Sequence, residues 1–339
     1  MIERFEANRK TKNRDLALPL RTLAVSLTLL AGAGTFAATA SASSVTVATQ
    51  SQGSGSYAAG SAIASVLGDK LDIRTGVQPT SGITVLLPEV NAGDVEMGMA
   101  NVLEATEAYN GEGRQREQRD LRTLGVMYPI VVGLFVRADS DIESFSDLEG
   151  KRVTHGFTAM QSSAVLVDAM LANGGLTSDD VEHVAVPHVV RGADEFSAGR
   201  ADAFFFIASG AGKVSEVEAS VGQLRLLPLD TSEEAMARTR EVFPYGYNYT
   251  QQPGDGVPGV AEPVETIAYD QLLVINANVD DDLAYDITRA LAENQPALES
   301  ANYQFSNFGL DTMYKELQIP YHPGAVRYFE EQGLSAVAD

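Results

Sequence analysis

The chain has 339 residues and a formal net charge of −22 at pH 7, with 24 Lys and Arg against 46 Asp and Glu. So acidic a chain excludes binding of nucleic acid or anionic lipid through general electrostatics. Cysteine is absent, which removes disulfides, thiolate metal sites and thiol nucleophiles.

Six basic residues, Arg4, Arg9, Lys10, Lys12, Arg14 and Arg21, precede or border the apolar run TLAVSLTLLAGAGTFAATA. The run ends in ATA and ASA tripeptides, the pattern of a secretory signal peptide cleaved after Ala40 or Ala42. Its apolar core is shorter than the roughly 20 residues a spanning helix needs. Residues 1–42 are therefore expected to be a signal peptide, and the remainder an exported, periplasmic protein more acidic still.

The strand-like VTVATQ then leads into SQGSGSYAAGSAIASVL, residues 51–67. Strand, Gly/Ser turn and helix N-terminus together present unpaired backbone N–H groups and a partial positive charge, suited to an anion or a polar ligand head. The same turn also serves as a plain connection. A helix over 57–71 follows, then the strand DIRTGVQPT, a helix near 85–92 and the buried-looking VEMGMAN. After a polar stretch at 111–120 come two apolar runs, LRTLGVM and IVVGLFVRA. The rhythm repeats as KRVTHG, a helix over 162–173, VEHVAV, a helix over 191–198, ADAFFFI, another helix and LRLLPL. This alternation predicts parallel sheets covered by helices, enough for two α/β domains. PYGYNYTQQPGDGVPGVAEP reads as a long functional loop. TIAYDQLLVINA resumes as a strand, and Asp280, Asp281 and Asp282 cap an amphipathic helix rather than ligate a metal.

Several segments resemble, in order, the TAXI family of solute-binding receptors, the extracytoplasmic components of TRAP-type transporters. The opening turn SQGSGSY, then VQPTSGITVLLPEVNAGDVEMGMAN, EAYNG, VRADSDIESFSDLEGKRV, GRADAFFF and LRLLPLD all have family counterparts. IPYHPGAVRYFEEQG is the most specific, through its HPGA-x-x-Y-x-x-x-x-G pattern. The chain departs from the family at THGFTAMQSSA, at IASGAGKVSEV and at Gln52 of the first turn.

The resemblance implies a type II periplasmic-binding fold: two α/β lobes joined by crossing strands around a ligand cleft. Lobe 1 would comprise 43–136 and 266–339, lobe 2 would comprise 137–265, and the crossings would fall near 128–136 and 266–275. It further implies a receptor that binds a small organic anion, amino-acid-like or dicarboxylate-like, and hands it to the membrane permease subunits of a TRAP-type transporter, without cofactor or metal. The expected ligand contacts are Ser54, Gly55, Ser56, Tyr57, Thr80, Ser81, Gly82, Phe157, Thr158, Gln161, Ser162, Phe206 and Ser209. Alternatives stay open at several positions. Ser54 and Ser56 either touch ligand or cap their helix, and Tyr57 either touches ligand or packs inward. Lys213, His155 and Arg191 are either contacts or ordinary surface groups, and His322 shapes a turn away from the cleft. A periplasmic sensor serving a signalling partner is one alternative function. An enzyme on the same fold is another, but no G-x-S-x-G elbow is present, and the cysteine that porphobilinogen deaminase needs on this fold is missing.

Overall fold

The computed structural model describes residues 44–334 apart from 114, 159, 209–211 and 255–257. The expected signal peptide and Ser209 therefore lie outside the described residues.

Alternating β-branched residues make β1 (Ser44–Thr49), which buries Val45, Val47 and Ala48. The turn after it enters α1 (Gly55–Leu71), whose first turn is capped by the Ser54 hydroxyl accepting the Tyr57 N–H at 3.1 Å. Gly60 lets this helix lie directly on β1, since a Cβ there would overlap the buried Thr49 methyl. The chain continues through β2 (Arg74–Pro79), α2 (Ile83–Ala92), β3 (Met97–Asn101) and α3 (Val102–Asn110).

β4 (Leu121–Arg137) then runs through both apolar segments without a break. After it come β5 (Arg152–His155), α4 (Gln161–Asn173), β6 (Glu182–Ala185), α5 (Val189–Ser197), β7 (Phe204–Ile207), α6 (Gly212–Val221) and β8 (Leu224–Leu226). Next are α7 (Glu233–Val242), β9 (Tyr247–Gln251) and the second long strand, β10 (Val264–Asn276). The chain ends in α8 (Asp281–Ala292), α9 (Gln295–Ala301), α10 (Leu310–Met313) and α11 (Pro323–Glu331).

The main sheet runs β2-β1-β3-β10-β4-β7, with β8 added on β4 and β9 on β10. Alternation predicted parallel sheets, and the sheet is mixed. β1 is parallel to β2 and β3, but β10 is antiparallel to β3, β4 and β9, and β4 is antiparallel to β7 and β8. The physical reason is that β4 and β10 are long strands threaded through the sheet, not steps in a βαβ succession. The Gly/Pro/Tyr-rich segment also differs from a plain loop, because its YNYTQ is β9. A separate parallel pair, β5-β6, touches the main sheet through a bridge between Val153 and Ala203.

Two apolar clusters share the sheet. One joins α1, α8 and α11 to Val47, Met97, Leu124 and Leu273. The other runs from Leu86 and Val90 along β4 and β10 to Phe135, Val153, Leu166 and Phe204. Among the described residues, no helix is long and apolar enough to cross a membrane.

Candidate functional site

The first two expected turns come together beyond the carboxyl ends of β1 and β2. Thr80 donates both its N–H (2.8 Å) and its hydroxyl (2.9 Å) to the Thr49 carbonyl, which fixes Thr80, Ser81 and Gly82 beside the turn that starts α1. Ser54 is engaged as a helix cap, and the Ser56 hydroxyl accepts the Gln50 N–H at 3.4 Å. The N–H groups of Gly55 and Ser56 carry no hydrogen bond among the described residues. They are therefore the free donors of this helix end. Tyr57 is half-buried.

The later turns gather beyond β5 and β7. Thr154 donates its N–H to Ala203 O at 3.1 Å, and its hydroxyl accepts Phe205 N–H at 3.1 Å, so these two strand ends lie side by side. Phe157 takes a left-handed φ of 34°, and its ring is fully buried against Phe205 and His155. It is core in this conformation, because the turn folds the ring back under the sheet. Thr158 is exposed, Gln161 opens α4 and Ser162 is half-buried behind it. Phe206 is buried, whereas the neighbouring Ile207 is 43% exposed and Met160 is 41% exposed.

The candidate charged contacts are occupied elsewhere. Lys213 pairs with Asp194 at 2.8 Å and Glu216 at 2.7 Å, and this lysine holds the Asp194 carboxyl below the usual carboxylate range. Arg191 pairs with Glu195 at 2.6 Å. His155 bonds Asp168 at 2.9 Å and stacks on His183. His322 is fully buried and caps α11 by accepting the Gly324 N–H at 3.2 Å.

The two groups of turns converge on one short stretch of β4. Gln271 of β10 lies opposite both Asn101, which ends β3, and Tyr128 of β4. Ile207, which ends β7, lies opposite Val132, and the Ala208 N–H bonds Val131 O at 2.8 Å. Four residues separate Tyr128 from Val132, roughly 13 Å at about 3.3 Å per residue. That separation suits one small molecule.

Sequence reasoning missed the residues at this convergence. The amide Nε2 of Gln271 is buried and has no hydrogen-bond partner among the described residues, although the residue is only 4% exposed. The Tyr128 hydroxyl has its pKa pushed up by burial, and its ring stands edge-on to that of Phe305 at 5.6 Å, next to Gln304. Gln304 in turn packs against Gly55, its Nε2 3.3 Å from where a Cβ would sit. Asn101 caps α3 by accepting the Glu104 N–H at 3.0 Å and donates its side-chain amide to the Glu104 carboxylate. Burial pushes that carboxyl above its ordinary range. The signal for Gln271 was present: a polar pair, Asp270-Gln271, interrupts an otherwise apolar strand.

Asp270 is nearly buried and accepts hydrogen bonds from the Lys315 ammonium at 2.7 Å and the Tyr247 hydroxyl at 2.7 Å. With Asn307 bonding the Tyr249 hydroxyl at 3.1 Å, these contacts strap β9 to the C-terminal segment. Two cavities elsewhere, about 670 Å³ beside β8 and about 330 Å³ around Arg152 and Asp202, contain none of the expected contacts. Among the described residues, no cluster of three His, Asp or Glu could hold a metal.

The sequence profile of the NMT1-like family matches residues 47–333. A TctC solute binding protein from Polaromonas is 15% identical, with 77% of this chain and 88% of that chain covered at a TM-score of 0.52. The periplasmic aliphatic sulphonate binding protein SsuA from Escherichia coli is also 15% identical, with 86% and 88% covered at a TM-score of 0.48. The likeness to the TctC protein shows the fold, the α/β fold of periplasmic binding proteins.

Proposed function

The chain belongs to the NMT1-like family, and from that premise we propose that it is a periplasmic solute receptor. It binds a small organic anion and delivers it to the permease subunits of a TRAP-type secondary transporter. Residues 1–42 are its export signal. Residues 43–136 and 266–339 make one lobe, and residues 137–265 make the other. The observation that carries this reading is the convergence of two sets of strand ends and helix N-termini on 128–132. Ligands of open α/β sheets bind beyond the carboxyl ends of strands, where such donors meet.

In this reading the Gly55 and Ser56 amides hold the anionic head, with Tyr57, Thr80, Ser81 and Gly82 around it. Thr158, Ser162 and Phe206 approach from the second lobe, Phe157 supports them from beneath, and Gln161 and Ser209 are assigned to the same half of the site. Closure of the lobes shifts a two-state equilibrium that the permease reads. The test is a melting-temperature screen against carboxylates, amino acids and sugar acids. A saturable rise with at least one compound is expected. A ligand at 100 times its Kd adds about 2.7 kcal/mol of stability. No response to any member of a broad panel overturns the reading.

A further inference from the structure

Resting on that receptor reading, we propose that the site selects a ligand with a single carboxylate head and an apolar body, and rejects a second carboxylate. Among the described residues, the donors at the start of α1 and at Gln271 are neutral. The Gly55 and Ser56 amides are free among the described residues, and the buried Nε2 of Gln271 has no partner there. Gln271 shares its row with Tyr128, whose ring meets Phe305, and the adjoining Gln304 packs against Gly55, so this orphaned amide belongs to the same corner as the start of α1. A helix end carries roughly half an elementary charge, which favours one carboxylate and leaves nothing over for a second.

Among the described residues, the cations considered for the cleft are not free to meet a second one. Lys213, Lys315 and Arg191 are each held by carboxylates of the protein. The one ionisable group bonded to Asn101 is Glu104, itself an acid. A second anionic group in the ligand would be desolvated there without compensation.

The facing side is apolar instead. Ile207 and Met160 stand exposed beyond the adjacent ends of β5 and β7, above the buried Phe206 and Phe157. Ile130, midway between Tyr128 and Val132, packs against both apolar clusters. A methylene chain extending from the head toward β7 would cover these side chains.

Matched six-carbon pairs test this by titration calorimetry: hexanoate against adipate, 2-oxohexanoate against 2-oxoadipate, and norleucine against 2-aminoadipate. The expected result is that at least one monocarboxylate binds, at least tenfold more tightly than its dicarboxylate partner. Shortening the bound monocarboxylate should weaken it about fourfold per methylene removed, and Ile207→Ser with Met160→Ser should flatten that dependence. Both side chains are exposed, so the variants keep their fold. A dicarboxylate binding as tightly as its partner, or no dependence on chain length, overturns the selectivity while leaving the receptor reading intact. Absence of binding by all six and by the wider panel overturns both.

Discussion

The buried Nε2 of Gln271 has no acceptor among the described residues, and an unsatisfied buried donor costs about 1–3 kcal/mol. Gln271→Leu removes that cost at nearly constant volume. The melting temperature of the ligand-free variant should equal or exceed that of the parent, while ligand affinity falls roughly tenfold, the worth of about one hydrogen bond. A drop in ligand-free stability with unchanged affinity would assign Gln271 to the scaffold instead. Gly324 shows the opposite kind of residue. It sits in the HPGA segment, and a Cβ there would collide with the Asp281 carbonyl and crowd the Tyr285 N–H of α8. The obstacle is backbone, which cannot move aside, so Gly324→Ala should cost about 3 kcal/mol in denaturant unfolding without altering ligand affinity once folded. Its conspicuous motif is therefore a packing device, whereas the residue that the proposal weights most is a glutamine that no motif flagged. The ring of Phe157 was misleading for a related reason. Its burial depends on a left-handed turn and on Phe205 from another strand, which no local pattern encodes.

At the level of elements, strands and helices with one clear apolar face were legible. VTVAT became β1 because its alternation matches a pleat, and Asp280 does cap α8, accepting the N–H groups of Asp282 and Leu283. α7 passed unseen because EEAMARTREV is polar on most sides and buries only Ala235, Met236 and Thr239. β9 was hidden inside a segment whose glycines and prolines read as a loop, yet its pairing with β10 gives it strand geometry. α3 adds a testable electrostatic feature. Burial raises the Glu104 pKa above its ordinary 4.5, with Asn101 opposing and Glu107 adding to the rise. A raised carboxyl contributes stability below its unfolded value that is lost as pH climbs through the folded value. Glu104→Gln should therefore melt higher than the parent at pH 8, and the difference should vanish below about pH 4.5. An advantage that persists unchanged at low pH would trace to packing rather than charge.

For the whole molecule, the decisive feature is the pair of long strands. β4 and β10 pair with each other along most of their length, and β10 also carries β3 and β9 while β4 carries β7 and β8. This arrangement was half visible: the two apolar runs were found, but their union through Pro129 and the antiparallel course of β10 require partners far away in sequence. That union brings the row of Asn101, Gln271 and Tyr128 and the end of β7 to within a few residues of each other along β4. In the receptor reading the ligand binds where they meet. Hydrogen exchange with and without saturating ligand tests this most directly, because it reports protection segment by segment. New protection is expected to be confined to peptides covering 51–60, 78–84, 128–132, 157–165 and 204–208. Protection appearing instead around the groove beside β8, with these segments unchanged, would contradict it.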